Sequence, residues 1–298
     1  MAVYKRNYRA YAGPATPMSW RWLAITRFGL GEVFASRNTV VLFVLCLVPP
    51  LLSAFLIYVV NSDTVRALLN LRGAPPLSIN NRFFLGLLEV QGWLALFLTA
   101  WVGPSLISPD LTNNALPLYL SRPVSRARYL AGKLLTLALL LSAVTWAPLL
   151  LLVGVQAATA PGRWLAPNLF LVPGIFLGAC IWIAVLSLLA LAVSAWVRWR
   201  IVAIGLTLAV VFIPAGFGGV VSAVLRTKWG LLLNIPYVIT RVWIQLLRVT
   251  ISNTRINGEL VNALDFPAAA AWTVLVAICA LSMLLLNKRI QARQVVRG

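Results

Sequence analysis

Few side chains in this sequence are able to carry out acid–base or metal chemistry. The 298 residues include six acidic side chains and no histidine, so the commonest general base and the commonest metal ligand are both missing. Histidine-dependent metalloprotease and Ser-His protease sites are therefore excluded. The phosphate-binding pattern GxxxxGK[ST] is also absent, because Gly132-Lys133 is followed by Leu134 and has no glycine five residues earlier. The chain on its own is predicted not to be an enzyme.

One acidic residue, Glu89, lies inside a long apolar run, and Gln91 follows two positions later. An ionisable side chain at membrane depth is expensive and often functional. Two interpretations stay open for this pair: a position on a substrate path, or a contact at the membrane boundary or between helices, within reach of Arg82. The three cysteines fall in separate apolar runs and are predicted to be packing residues rather than a disulfide or metal set: Cys46, Cys180 and Cys279.

Long apolar runs must position these side chains. The chain is 61% hydrophobic and only 10% charged, whereas soluble domains carry about a quarter charged residues. About 20 apolar residues in a helix cross the roughly 30 Å hydrocarbon layer of a membrane. Six runs are this long, and the predicted fold is therefore an all-α polytopic membrane protein with six transmembrane helices at about 39–60, 84–107, 134–156, 169–196, 201–222 and 268–286.

Basic residues are concentrated on one side of this six-span topology. Of the 25 lysines and arginines, 16 lie at the two termini or in and beside the second-to-third and fourth-to-fifth connections. The positive-inside rule therefore predicts that both termini are cytoplasmic. The net charge of +19 is therefore attributed to basic side chains that contact membrane lipid. No nucleic-acid partner is expected.

The segments outside the spans are predicted to complete a single transmembrane domain over 1–298. Residues 1–38 form a cytoplasmic start and an interfacial elbow helix, since tryptophans, leucines and arginines are mixed in 18–37. The connection 223–267 is too apolar for a free loop and is expected to form short, re-entrant outer helices embedded in the membrane. Pro49-Pro50 should kink or break the first span, and residues 287–298 form a cytoplasmic tail.

The segment SPDLTNNALPLYLSRPVSRARYLAGK, residues 108–133, is polar and lies between the second and third spans. Ser108-Pro109-Asp110 has the order of a helix start, with a capping serine, a proline and an acid. Asn114 is predicted to cap a short amphipathic helix that ends at Pro123, and Ser125 to cap the helix of span three. A helix placed there is connected directly to both neighbouring spans.

This segment resembles the signature of ABC-2 type permeases, the membrane subunits of a class of ABC transporters. The family pattern has an acidic residue, then L-L-x-x-P-[VL]-S-R, then G-K leading into span three. Here Asp110 precedes Leu118, Leu120, Pro123, Val124, Ser125, Arg126, Gly132 and Lys133. The glycine that often stands ahead of the segment is replaced by Asn113-Asn114. The elbow helix, six spans and outer insertion are similar in order to the whole family architecture.

The resemblance implies a permease subunit of an ATP-driven exporter in the bacterial plasma (inner) membrane. ATP and magnesium would be bound by a cytosolic ABC ATPase dimer on separate chains, with no cofactor on this one. Two permease copies, or this chain and a paralogue, would form the substrate path, and outer-side or periplasmic accessory proteins are possible partners. The coupling helix would contain Asp110, Asn114, Leu116, Pro117, Leu118, Tyr119, Leu120, Arg122, Pro123, Ser125, Arg126, Gly132 and Lys133.

Two other functions stay open at this point. One is an ion-driven secondary transporter, although the spans contain few acids and the two halves of the chain show no clear repeat. The other is an ABC-type membrane scaffold or mechanotransmitter that moves outer partners and transports no solute.

Overall fold

The protein is helical apart from one short hairpin in the part of the chain described by the computed structural model. That part comprises residues 20, 22–68, 78–112, 125–160, 162–197, 199–250, 254–256, 259–261 and 267–295. Its helices are α1 (Leu23–Ala35), α2 (Arg37–Asn61), α3 (Asp63–Leu68), α4 (Asn81–Thr112), α5 (Arg126–Val144), α6 (Trp146–Thr159), α7 (Leu165–Asn168), α8 (Leu171–Trp196), α9 (Arg200–Val224), α10 (Ile235–Leu246) and α11 (Ala268–Val295). A 3-10 helix, Trp229–Leu233, precedes α10, and strands β1 (Thr254–Ile256) and β2 (Glu259–Val261) pair in antiparallel fashion.

Six helical stretches among the described residues are long and apolar enough to cross a membrane, as the sequence predicts. Their ends lie within about a turn or two of the predicted ones. By length and composition this is a multi-pass membrane protein, with spans at Arg37–Asn61, Asn81–Ser108, Ala127–Thr159, Leu165–Trp196, Arg200–Val224 and Ala268–Arg289.

Helices α4 and α8 form the centre of the bundle. The buried share of their apolar stretches is 56% and 67%, against 17–22% for α2, α9 and α11. Their backbones approach closely at Gly103, where an added Cβ would lie 2.7 Å from the Cβ of Ala190. Lipid tails are as apolar as leucine, so close van der Waals packing through small residues is what holds such helices together.

The first span is not broken by its two prolines. Helix α2 continues from Arg37 to Asn61 through Pro49 and Pro50. A proline has no N–H to bond the carbonyl four residues earlier, and for Pro50 that carbonyl belongs to Cys46. The side-chain amide of Gln91 on α4 donates to this carbonyl at 3.0 Å. A neighbouring helix therefore replaces the hydrogen bond that Pro50 removes, and this is how membrane helices accommodate proline.

The third span is interrupted at Thr145. Helix α5 ends at Val144, Thr145 takes φ −102° and ψ −94°, and α6 begins at the next residue. Pro148 cannot donate to the Val144 carbonyl, so the helical ladder is lost at this point. The Leu141 carbonyl accepts both the backbone N–H and the hydroxyl of Thr145, at 2.9 and 2.7 Å. The span is thus two helices joined by one non-helical residue.

The helix that contains the second span continues past the predicted end of that span, and the helix start expected at Ser108 does not occur. Helix α4 continues without interruption to Thr112. The Ser108 hydroxyl donates to the carbonyl of Val197 at 3.0 Å, and Val197 is the residue that ends α8. Ser108 therefore caps the end of a different helix, and this tertiary contact outweighs the local start signal.

The segment after α9 contains the 3-10 helix and α10, where the sequence predicts short helices. Helix α10 packs against α8 and α11. The Asn81 amide at the start of α4 donates to the carbonyls of Leu247 and Arg248, at 3.2 and 3.0 Å. Arg82 donates to the Thr250 carbonyl at 2.8 Å. These contacts bind the carboxyl end of α10 to the amino end of α4.

Replacing Gly103 with alanine should loosen the α4–α8 contact. Because the new Cβ would meet Ala190 at 2.7 Å, we expect a loss of about 1–3 kcal/mol of stability and a lower melting temperature in detergent. Gly86 on the same helix is the matched control, since nothing lies within 4 Å of an added Cβ there. Gly86→Ala should be neutral or stabilising. Equal melting temperatures for the two variants would contradict the proposed contact.

Candidate functional site

A cavity of about 430 Å³ lies between α4, α8, α9 and α10. Aromatic rings form much of its wall, and three of its lining residues carry polar side-chain termini beyond the rings. The wall residues from α4 and α8 are separated by roughly 90 positions in the chain, so only the tertiary fold brings them together. The aromatic lining residues are Trp93, Trp182, Phe212, Tyr237 and Trp243, and the polar ones are Glu89, Asn234 and Thr240.

Two buried tryptophans form the rigid part of the cavity wall. Trp182 and Trp243 meet edge to face, with ring centroids 6.1 Å apart. The indole N–H of Trp182 donates to the carbonyl of Gly92 at 3.0 Å, and that of Trp243 donates to the carbonyl of Gly178 at 2.9 Å. An added Cβ at either glycine would lie within 3 Å of the Trp243 ring. The two glycines therefore make room for the rings and also fix their orientation.

Glu89 is the one charged side chain among the residues that line this cavity in the described part of the chain. It is half-buried on α4, and the Thr240 hydroxyl of α10 hydrogen-bonds to its carboxyl group. Near it, the rings of Trp93 and Phe212 stack with centroids 5.8 Å apart. Both rings are partly exposed, at 38% and 42%, so the aromatic wall continues to the protein surface.

Gln91 is separated from the cavity although it lies only two residues from Glu89. It is fully buried and faces α2, where its amide N–H bonds the Cys46 carbonyl. Its side-chain oxygen has no hydrogen-bond partner among the described residues. The structure thus places Glu89 on the cavity wall and Gln91 at the proline of the neighbouring span.

A buried ion pair joins the carboxyl end of α4 to the amino end of α5. The Lys133 ammonium lies 2.8 Å from Oδ2 of Asp110, and their side chains are only 4% and 16% exposed. The Tyr129 hydroxyl donates to the same oxygen at 2.7 Å. Two of the residues assigned to ATPase coupling are therefore each other's partners inside this chain. They tie together the helices on either side of residues 113–124.

Gly132, next to this ion pair, allows α1 to pack closely on α5. An added Cβ would meet the Cβ of Ile25 at 3.1 Å, and the Thr26 hydroxyl donates to the Gly132 carbonyl at 3.1 Å. Thr136, one turn later, donates to the same carbonyl at 2.9 Å. A glycine followed four residues later by a small residue is a common pattern for close helix packing in membranes.

The Ser125 cap is confirmed, because the serine side chain accepts a hydrogen bond from the backbone N–H of Arg128 at the start of α5. Arg126 is the first residue of that helix. The predicted amphipathic helix lies outside the described residues, together with its candidate side chains Asn114, Leu116, Pro117, Leu118, Tyr119, Leu120, Arg122 and Pro123.

Several residues that complete the cavity and the Asp110–Lys133 ion pair could not be identified from the sequence. Trp182, Trp243 and Thr240 were not singled out, and neither was Tyr129. The one signal in the sequence was that tryptophans and glycines occur in the same apolar runs. This pattern does not show which tryptophan contacts which glycine. Tyr129, four residues before Lys133, is on the same helix face, and that spacing pointed to a shared partner.

No protein-family model matches this chain, and no curated protein matches it significantly.

Removing the Gln91 amide should destabilise the protein only when Pro50 is present. Gln91→Met leaves the Cys46 carbonyl without its donor, and we expect a loss of about 1–3 kcal/mol. In a Pro50→Ala background the backbone N–H of residue 50 can bond this carbonyl, so the same substitution should cost much less. Thermal unfolding of the single and double variants measures the difference. Pro49→Ala is the matched control, and rescue by Pro49→Ala would contradict the assignment.

Breaking the Asp110–Lys133 pair on one side should be costly. Lys133→Met or Asp110→Asn leaves a buried polar partner uncompensated, and we expect about 3–5 kcal/mol of destabilisation for the lysine change. The double variant should recover part of this loss, which thermal unfolding in detergent can measure. Lys288→Met, at an exposed position, is the control and should be neutral. Strictly additive losses in the double variant would argue against coupling.

Proposed function

We propose that this chain is the membrane-spanning permease subunit of an ATP-driven ABC exporter. It would be coupled to a cytosolic ATPase dimer through residues of about 109–126. ATP and magnesium would bind to the partner, and this chain would have no catalytic residues of its own. The six spanning helices support the proposal, as does the likeness of segment 108–133 to the ABC-2 pattern.

The observation that carries the proposal is the buried Asp110–Lys133 pair. The two residues bracket segment 113–124, and their contact joins the end of α4 to the start of α5. A partner that displaced this segment would move both helices together, because the buried pair resists separation. Alternating access in such a transporter would follow from ATP-dependent movement of the partner dimer, transmitted as a population shift between two arrangements of the bundle.

Helix α1 is suited to act as the elbow helix in this arrangement. It is packed on α5 through Gly132 and Thr26, one residue from Lys133. We place it at the cytoplasmic headgroup level, with both termini on that side of the bacterial plasma membrane. Segment 223–267 would then lie on the outer side, and α10 would form part of the outer gate.

The weakly buried spans support an assembly of two permease subunits. Helices α2, α9 and α11 have buried shares of 17%, 22% and 22%, so most of their apolar surface is available to lipid or to another subunit. We propose a dimer of this chain, or of this chain and a paralogue, with the substrate path between the two copies. Accessory proteins on the outer side remain compatible with this arrangement.

Glu89 favours one second candidate, an ion-driven secondary transporter. A carboxyl group on a cavity wall within a spanning helix is the kind of group that couples transport to protons or sodium. Transport by the purified chain under an ion gradient, with no ATPase present, would support this candidate over the ABC subunit. A scaffold without solute transport would instead hold outer partners stably and show no substrate-stimulated ATPase activity.

Introducing a charge into the predicted coupling segment should abolish association with the ATPase. Leu120→Asp places a carboxylate on the apolar face expected to dock, and Arg126→Glu reverses a charge at the start of α5. We expect both variants to insert normally but to lose ATPase co-purification or substrate-stimulated ATP hydrolysis by tenfold or more, since a charge in a docking core is unpaired.

Leu68→Asp is the matched control for this experiment. Leu68 is 78% exposed on α3, at the opposite end of α2 from α1. A leucine-to-aspartate change there alters charge equally but should leave the ATPase partner bound. If Leu120→Asp and Arg126→Glu retained both co-purification and stimulated hydrolysis, the docking role of the segment would be wrong.

A further inference from the structure

We infer that the cavity between α4, α8, α9 and α10 is a binding site for a lipophilic organic cation, such as a substituted ammonium with an aromatic or alkyl group. The inference rests on the cavity's single carboxyl group, its aromatic wall and its size. Binding itself requires only this chain, whereas a role for the site in transport rests on the function proposed above.

The charge of the cavity selects for a cation. Glu89 is the one ionisable carboxylate on its wall among the described residues, and no lysine or arginine is among the lining residues there. The Thr240 hydroxyl hydrogen-bonds to this carboxylate and so orients it. In surroundings of low dielectric, a carboxylate attracts a cation and repels an anion far more strongly than it would in water. An anionic ligand would meet no cationic side chain among the described residues of this wall.

The aromatic wall selects for an organic cation over a metal ion. Indole and phenyl faces attract a positive charge within about 6 Å, with tryptophan the strongest, and the partly exposed rings of Trp93 and Phe212 line the cavity. A calcium or magnesium ion needs six or more oxygen ligands, whereas only four of the described lining side chains carry oxygen atoms: Glu89, Asn234, Tyr237 and Thr240. A cation wrapped in carbon substituents needs only one counter-charge and several ring faces.

The wall is also preorganised for such a ligand. The N–H groups of Trp182 and Trp243 are bonded to glycine carbonyls, so these rings offer the ligand apolar and π surface rather than donors. They are held in place before any ligand arrives, which reduces the ordering cost of binding. The volume of about 430 Å³ falls within the usual range for small-molecule sites of roughly 300–1,000 Å³. One ring with a trialkylammonium group is of suitable size.

The test measures binding of radiolabelled phenyltrimethylammonium to the full-length chain in nanodiscs of uncharged phosphatidylcholine, without any ATPase. We expect saturable binding that unlabelled phenyltrimethylammonium displaces. Its neutral isostere tert-butylbenzene and the anion benzenesulfonate should compete at least tenfold less well. Equal competition by tert-butylbenzene would show that the site recognises only apolar bulk, and it would overturn the inference.

Three variants locate the site. Glu89→Gln preserves shape and can still accept the Thr240 hydrogen bond, so it should fold, and we expect on the order of tenfold weaker binding. Phe212→Leu should weaken binding about two- to thirtyfold, the range measured for cation–π contacts. Glu32→Gln removes an exposed carboxylate on α1 and should bind like the unaltered chain.

Two outcomes contradict the inference. The first is wild-type affinity in both Glu89→Gln and Phe212→Leu. The second is a loss of affinity in Glu32→Gln equal to that in Glu89→Gln, which would indicate attraction to the protein's overall charge alone. If Glu89→Gln does not give a monodisperse protein, the affinity of Phe212→Leu decides. Weaker binding supports the inference and wild-type affinity contradicts it. The ATPase docking experiment with Leu120→Asp does not involve this cavity. Either proposal can therefore fail while the other holds.

Discussion

Close contact between α4 and α8 is the constraint on which the rest of the bundle depends. In a membrane, apolar side chains gain little by leaving lipid, so burial alone does not choose which helices meet. Gly103 removes the side chain that would separate α4 from Ala190 on α8, and the Ser194 hydroxyl bonds the Pro104 carbonyl beside it at 3.3 Å. Once these two helices are fixed, α10 and α9 close one side of the cavity and α2 covers the other face of α4.

Polar side chains in this protein bind backbone carbonyls that would otherwise lack a donor. Gln91 bonds the carbonyl freed by Pro50, Ser108 bonds the capping residue that follows α8, and the Asn81 amide bonds the residue that follows α10. Each contact joins two helices that are far apart in sequence. Since an unsatisfied carbonyl is costly away from water, these contacts give specificity to a bundle whose apolar surfaces are otherwise interchangeable.

The spans were predictable because length and apolarity are local properties, and the cap at Ser125 was predictable because the serine bonds its own helix. The predicted helix start at Ser108 was wrong for the opposite reason: its hydroxyl bonds Val197, 89 residues away. The cavity could be anticipated only as far as Glu89. The tryptophans that surround it come from three helices, and one sequence shows neither their pairing nor the glycines that admit them. The coupling role of segment 108–133 stays a prediction.

The Asp110–Lys133 pair also bears on how the protein is made. Lys133 lies about six residues inside its spanning stretch, roughly 9 Å along the helix, where an unaccompanied ammonium would oppose entry into lipid. Asp110 precedes it in the chain and leaves the ribosome first. The acid is therefore already present at the end of the second span when the lysine emerges. The second and third spans can therefore enter the bilayer with Lys133 already paired with Asp110. The acid is made before the base that it neutralises.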